Sequence, residues 1–570
     1  MAGLLPDRYA MNQTRTFLLF ALLAVAYLLF QQWEQDYGPH PPATASNSTN
    51  QTGNGTPGTT PAIANANGGE TGTAQLVTVM TDVLRLTIDT RGGSIVRSEL
   101  LKYPVTPRTK KDPDPAPIRL LDDGAADYFA AQSGLVSADG AAPDHRAVFQ
   151  AAQTSYELAA GQDALNVDLS WTDASGVKVI KRYTVHRGSY VIDLDQQIAN
   201  GSSKAWDGQA YRQFQRIDRP EPVYSNFLQR ISDQSRYGFF GAVWYSPEQK
   251  FNKLPFDKFE KEPLQNDVTG GWVAMMQQYF LSAWIPPAKE TDKFFTTVIK
   301  EDNGKPRYVI RSVGPQISVA PGQQASSSAQ LYLGPKLPDQ LAAIAPGLDL
   351  SIDYGMLKIF AEPLHWILAQ LDKLTGNWGV SIVLLVLLIN LATFKLTNAQ
   401  FESANKMRKL KPRIDALKER YGDDRQKMQQ AMMELYKKEK VNPAAGCFPL
   451  LITIPIFYGL YYVLRDSVEL RQAPFIGWIH DLSAADPYFV LPILYTIVML
   501  VQQWMMPAAP GMDPAQQKMM KFMPLMFAVI FLFFPSGLVL YYVVNGLCRL
   551  LQQWWMMRRA DAAPPAKAAA

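Results

Sequence analysis

GNWGVSIVLLVLLINLATFKL, residues 376–396, decides the fold. Its apolar run approaches the ~20 residues that a helix needs to cross a bilayer core. Four more apolar segments follow, at residues 447–464, 488–505, 522–534 and 537–555. The fourth of the five is short and carries Pro524. Proline is tolerated in a span where neighbouring helices satisfy the freed carbonyl. Pro535-Ser536-Gly537 then turns the chain directly into the last segment. An enzyme held to a membrane by an anchor has no need of so many spans. The block reads as a device that handles something at the membrane.

Charge placement orients the block. The stretch 400–440 carries Lys406, Arg408, Lys409, Lys411, Arg413, Lys418, Arg420, Arg425, Lys427, Lys437, Lys438 and Lys440. Lys518 and Lys521 lie in the 506–521 loop, and Arg558 and Arg559 follow the last span. The opposite loop, 465–487, sets two arginines against Asp466, Glu469, Asp481 and Asp486. The positive-inside rule places the basic loops and the 556–570 tail in the cytoplasm. The same rule applied to Arg8 and Arg15 puts residues 1–15 inside and makes 16–33 a first span. That span reads as a retained anchor, because no small-residue cleavage site lies close behind it. Six spans with both termini cytoplasmic result.

The region between the anchor and the block divides in two. Residues 34–74 are largely Pro, Asn, Thr, Gly and Ala and read as a flexible linker. Residues 75–347 show short alternating runs such as Leu84-Arg85-Leu86-Thr87-Ile88, punctuated by Arg91-Gly92-Gly93 and Asn200-Gly201. Many short strands between turn signals predict an all-β sandwich. Asp82, Asp89, His145 and His186 do not carry the spacing of a catalytic or metal site. Trp244, Tyr245, Phe239 and Phe240 read as core or interface. The 570 residues contain two cysteines, Cys447 and Cys548, both inside apolar segments, so neither a structural disulfide nor a cysteine metal site is expected. The mean hydropathy of -0.10 averages two unlike halves.

Residues 353–374 are too polar to span and fit an amphipathic helix lying in the interface plane. The 400–440 stretch reads as two helices broken at Tyr421-Gly422-Asp423. Leu410, Ile414 and Leu417 form one apolar stripe; Met428, Met432 and Leu435 form another. Paired, they predict a helical hairpin whose methionines suit varied apolar partners and whose basic face suits anionic lipid or ribosomal RNA. Within the spans, polar residues prefer the bundle interior. Asn390, Tyr461, Tyr462, Gln502, Tyr541, Tyr542 and Asn545 are candidates for the lining of a groove open toward the cytoplasm, with Lys395 at its mouth. Interhelical hydrogen bonding and aromatic belts are the alternative use of the same residues.

The strings Cys447-Phe448-Pro449-Leu450-Leu451, Val468-Glu469-Leu470-Arg471-Gln472-Ala473-Pro474-Phe475, Trp478-Ile479-His480-Asp481-Leu482 and Phe534-Pro535-Ser536-Gly537 resemble the YidC family of membrane-protein insertases. The likeness is close over about 353–557. The anchor and β region extend it to the Gram-negative bacterial branch of that family. It implies a β-supersandwich of galactose-mutarotase type in the periplasm and an inner-membrane location. It also implies a chaperone function, the insertion and folding of nascent membrane proteins, alone or with the Sec translocon. A hydrophilic groove would receive the client, without nucleotide, cofactor or metal. The hairpin residues Lys406, Arg408, Lys409, Arg413, Arg420, Arg425, Lys427, Met428 and Met432 would meet the ribosome or targeting receptor; no specific DNA contact is implied. Many bacterial members carry an arginine where this chain has Asn390. Lys395 lies about 7 Å further along a helix axis and on another face.

The expectation is therefore an α-helical polytopic membrane protein of six transmembrane helices, five forming the core. A large extracytoplasmic all-β supersandwich and a cytoplasmic helical hairpin complete it. The competing readings are a membrane-anchored carbohydrate-active enzyme, with the β domain catalytic, and a solute channel or transporter. The second lacks a filter-like motif and paired intramembrane charges.

Overall fold

The computed structural model describes residues 74–108, 110–138, 142–219, 238–300, 304–421, 424–439, 448–505, 522, 524–525 and 528–562. The expected anchor at 16–33, the linker up to residue 73, the 506–521 loop and residues 563–570 of the tail lie outside the described residues.

Among the described residues, strands run from Leu76 to Pro335 in two sheets, one of ten strands and one of nine. In the larger sheet Trp206–Ile217 pairs with Arg307–Val319 on one side and Phe129–Ser137 on the other, both antiparallel. In the smaller, Val191–Asn200 lies between Val177–His186 and Gln324–Pro335. Val177–His186 and Val191–Asn200 alternate between deeper and shallower residues, as a period of two requires. Phe129–Ser137 and Phe280–Ile285 are buried almost throughout, because both of their faces are covered.

The sheets meet over an apolar core that includes Phe214, Trp284, Ile192 and Leu331. Polar bonds cross it. Lys181, fully buried on the smaller sheet, donates to the carbonyls of Gly92 (2.6 Å) and Ser133 (2.9 Å). Arg212, fully buried on the larger, pairs with Asp292 at 3.0 Å and donates to Ser327 Oγ and the Ser328 carbonyl. A buried charge is tolerated only with such partners. Trp244 and Tyr245 are core residues, while Phe239 and Phe240 are half-buried against the core. Asp82 caps the Gly188 amide and Asp89 the Arg91 amide. His186 faces Asp193, and His145 faces Tyr211. These four side chains serve separate local roles.

A helical region follows. Helix α1 is Pro338–Ile344, α2 Lys358–Thr375, α3 Trp378–Ala392, α4 Phe394–Tyr421, α5 Arg425–Lys438, α6 Phe448–Asp466, α7 Val490–Met505 and α8 Ser536–Ala562. Gly376, at φ +64°, ends α2 in the left-handed conformation that favours glycine. Asn377 then caps α3 by accepting from the Val380 amide. Helix α2 buries Ala361, Leu364 and Leu368 while Ile359, Phe360, Trp366 and Leu374 stay exposed.

The expected span 378–396 is not one straight helix: α3 ends at Ala392, and the chain bends by 60° into α4. Thr393 Oγ1 donates back to the Ile389 carbonyl at 2.8 Å, and Thr397 Oγ1 to the Thr393 carbonyl at 3.1 Å. Such back-bonding bends helices, and residue types alone did not signal it. Among the described residues no single helix is long and apolar enough to cross a membrane; the bent pair of α3 and Phe394–Met407 is, by length and composition. Helices α4 and α5 pack through Leu410, Ile414 and Tyr436, with Met407, Met432, Met433 and Leu435 around them.

The β domain contains a proton-linked element. Burial pushes His145 down to about 4, against the pull of Asp144 and with the help of Arg311, Arg146 and Lys181. Between pH 4 and 6.5 the unfolded chain therefore binds a proton at this site that the folded chain rejects, so stability falls as pH falls through that window. The full shift corresponds to roughly 3 kcal/mol. Thermal unfolding of the full chain, followed by near-ultraviolet circular dichroism from pH 4 to 7.5, should show this loss. His145→Gln should flatten it, and an unchanged slope would refute the assignment.

Candidate functional site

Helix α8 carries Asn545, Arg549 and Gln552 at helical spacing along one side. Two of the three reach across to α3 and α4. Asn390 Nδ2 donates to Asn545 Oδ1 at 3.0 Å and to its own helix at the Val386 carbonyl, 2.8 Å. Gln552 Nε2 donates to the Phe394 carbonyl (3.0 Å) and to Asn398 Oδ1 (2.7 Å). From the α7 side, Gln502 Nε2 donates to the Gly546 carbonyl at 2.7 Å. That approach needs glycine: a Cβ at Gly546 would stand 2.8 Å from Val498. The result is a polar seam linking α3, α4, α7 and α8.

One end of the seam is closed by aromatic rings. Tyr542 is buried, with Phe531 at 4.8 Å, Phe457 at 5.1 Å, Tyr541 at 5.2 Å and Tyr495 at 5.4 Å between centroids. Tyr461 and Tyr462 stand beyond it, half-buried. The Arg465 guanidinium lies 5.3 and 4.9 Å from their rings and is paired with Asp466 at 2.7 Å.

Above this plug the 467–489 loop folds on two carboxylates. Asp481 Oδ1 accepts from the Gln472 and Ser483 amides and from Ser483 Oγ. Asp486 accepts from Trp478 Nε1 and from the Tyr488 and Leu491 amides, the last at the start of α7.

Of the expected groove residues, the structure brings together Asn390, Asn545 and Gln502. It gathers Tyr541 and Tyr542 in the plug and sets Tyr461 and Tyr462 at its rim. Lys395 is exposed, outside the seam. Gln552 and Asn398 were not expected; the polar spacing along α8 is the signal that would have found Gln552.

On α4 and α5, Lys406, Lys409, Arg413, Arg420 and Lys427 are exposed. Lys406 pairs with Glu402, Lys427 with Asp424 and Arg413 with Glu439, all surface pairs worth about 0–1 kcal/mol each. Lys409 and Arg420 have no ion pair among the described residues. The side chains of Arg408 and Arg425 lie outside the described residues. Met432 belongs to the α4–α5 contact and Met428 is half-buried. Among the described residues, no cluster of three His, Cys, Asp or Glu is placed to hold a metal.

Family models for the YidC periplasmic domain and for the 60Kd inner membrane protein match residues 76–367 and 370–563. The membrane protein insertase YidC of Thioalkalivibrio sulfidiphilus is 42% identical over 97% of this chain and 99% of its own length. That of Stenotrophomonas maltophilia is 44% identical over 97% of this chain and 98% of its own. A crystal structure of an active YidC insertase with its first transmembrane domain resolved aligns over 84% of this chain and 93% of its own, at 20% identity and a TM-score of 0.35.

The seam makes a measurable claim about energy. A double-mutant cycle of Asn390→Ala and Asn545→Ala in bicelles should give a coupling of roughly 0.5–1.5 kcal/mol, the range for interhelical side-chain hydrogen bonds in membranes. Strictly additive losses would show that the two amides do not interact.

Proposed function

The chain belongs to the YidC family of membrane protein insertases, and from that premise we propose how its residues insert a client. It is a membrane protein insertase of the inner membrane, with a periplasmic β domain and a helical region. The proposed step is the partition of a nascent apolar segment from water into lipid. Burial of about 20 apolar residues drives this at roughly 25 cal/mol per Å² of apolar surface, without nucleotide. The difficulty lies in the polar flank that must accompany the segment, since an unpartnered polar group in hydrocarbon costs several kcal/mol.

The observation that carries the mechanism is the bond from Asn390, on the largely apolar α3, to Asn545 on α8. Together with Gln502, Asn398 and Gln552 it supplies donors and acceptors that a client flank can borrow at the moment of entry. These are neutral amides, so groove polarity in this member does not depend on a fixed cation at position 390. Lys395, exposed beside the bend at Thr393, adds positive potential at the cytoplasmic mouth. The aromatic plug and the 467–489 loop close the periplasmic end. The client then leaves along exposed apolar side chains of α6, Ile454 and Tyr458, and of the 522–534 segment, Phe522, Leu525, Val529 and Ile530.

In the proposed topology there are six spans, including 16–33, with both termini, the α4–α5 hairpin and the 506–521 loop in the cytoplasm, following the positive-inside rule. Helix α2 lies in the outer interface, where its exposed Ile359, Phe360, Trp366 and Leu374 meet lipid. The hairpin receives clients and contacts the ribosome or targeting receptor through Lys409, Arg420 and the other cations. Handover from the Sec translocon uses the same groove. We assign no catalytic residue to the β domain, whose acids and histidines are dispersed.

Reconstitution into liposomes with a short single-span client, scored by protease protection, tests the reading. Wild type should protect the client well above empty liposomes. Asn390→Leu combined with Asn545→Leu should lower protection at least fivefold, and Lys395→Gln by less than twofold. Removal of 406–440 should abolish it. Full protection by the double leucine variant would sink the polar-groove mechanism.

A further inference from the structure

The β domain sends a basic loop toward the helices. Arg108, Lys110, Lys111, Asp112 and Asp114 are exposed on it, between the strands Ser94–Pro104 and Pro117–Leu121, and Lys102 is exposed near the end of the first of these strands. Its root is fixed on the domain by Tyr103, whose ring lies 5.8 Å from that of Phe280. Its next residues are gripped from below. Arg471 donates to the carbonyls of Pro104 (2.8 Å) and Val105 (3.1 Å), and Gln472 Nε2 donates to the same two oxygens.

Under this joint lies a cavity of about 530 Å³, walled by Lys102, Arg108, Arg471, His480, Trp378 and Glu469, among others. That volume falls within the range of small-ligand sites. Its charge is one-sided. Glu469 is the one acid among the described residues of the wall, and its Oε1 faces His365 Nε2 at 3.5 Å. Asp481 acts on Arg471 from outside the wall, but amides and a hydroxyl already hold its carboxylate. Arg471 is committed to backbone carbonyls and contributes field. Lys102 and Arg108 have no ion pair among the described residues and can close on a ligand.

Position narrows the ligand. Trp378 is the first residue of α3, the start of an apolar helix, and indole rings favour the level of lipid headgroups. Cations on an outer face do not serve orientation, and Lys102, Arg108 and Arg471 converge on the cavity while Asp112 and Asp114 of the same loop lie outside its wall.

We propose that this cavity binds the phosphate-bearing headgroup of an anionic phospholipid of the outer leaflet. Lys102 and Arg108 close over the phosphate, Arg471 supplies fixed positive potential, and Trp378 sets the depth of the glycerol backbone. The bound lipid wedges the β domain against the membrane surface. The orientation of this face rests on the insertase topology; the anion site itself does not.

Full-length protein in detergent, titrated with short-chain phosphatidylglycerol and read by native mass spectrometry, tests the site. Lys102→Glu with Arg108→Glu should weaken binding at least tenfold. Lys178→Glu with Lys204→Glu, exposed cations outside the cavity, should leave it within twofold. Both pairs are on the surface, and unchanged melting will show that they fold. Equal affinity in the first pair would overturn the site, and equal binding of phosphatidylcholine would overturn its preference for anions. Competition by sn-glycerol 3-phosphate at equal concentration would mark a site for soluble phosphate esters and overturn the lipid assignment. Orientation is read separately: Lys110→Cys, with Cys447 and Cys548 changed to Ser, should react with an impermeant maleimide from the periplasmic side. Reaction from the cytoplasmic side alone would sink the topology while the binding result stood.

Discussion

The fold depends on how one stretch of irregular backbone, residues 467–489, keeps its polar groups satisfied beside a layer of apolar helices. Each buried amide left unpaired there would cost free energy comparable to a lost hydrogen bond. Asp481 and Asp486 supply the acceptors, and every neighbour takes a bearing from the result. Helix α3 is tied in by Asn377 Nδ2 on the Phe475 carbonyl. Helix α8 begins where the Ser536 and Gly537 amides meet the Ala484 and Leu482 carbonyls. Helix α2 is joined through His365 and Glu469, and the β domain through Arg471. The aromatic plug sits directly beneath this platform.

With that end fixed, polarity within the helices takes on a defined place. Isolated amides among apolar side chains would be a burden if unpaired. Here they pair with one another or with backbone carbonyls across α3, α4, α7 and α8. A network of neutral hydrogen bonds can exchange partners with an incoming chain at small net cost, because each bond lost to a helix is replaced by one to the client. A fixed arginine would offer a stronger field but would itself need a counterion or water.

The sequence showed the two-part organisation well, since the two periodicities differ so clearly. Alternation marked Leu84–Ile88 and Val177–Val185, where one sheet face is covered. It could not mark Phe129–Ser137 or Phe280–Ile285, which are buried on both faces and so show no alternation of apolar and polar residues. Asn390 and Asn545 stood out as polar residues in apolar surroundings, but their pairing joins positions 155 residues apart and left no local trace. The bend at Thr393 escaped because it arises from side-chain back-bonding and not from Pro or Gly. Lys395 was legible as a cation near a helix end, while its exposed face depends on that bend. The Arg471 clamp was illegible for a simpler reason: its partners are main-chain oxygens 366 and 367 residues away.

Arg471 and Gln472 hold the carbonyls of Pro104 and Val105, atoms that every amino acid possesses. A joint made to main-chain oxygens places little demand on the identity of the residues it grips, provided the loop keeps its path. The gripped loop can therefore change its residues without losing this joint, whereas Gln278 and Tyr279 of the β domain reach the Arg465 carbonyl through their side chains. At this joint the demand on side-chain identity falls on the two residues of the helical side. Divergence across it should be unequal, with the gripped loop free to change while the socket stays the same.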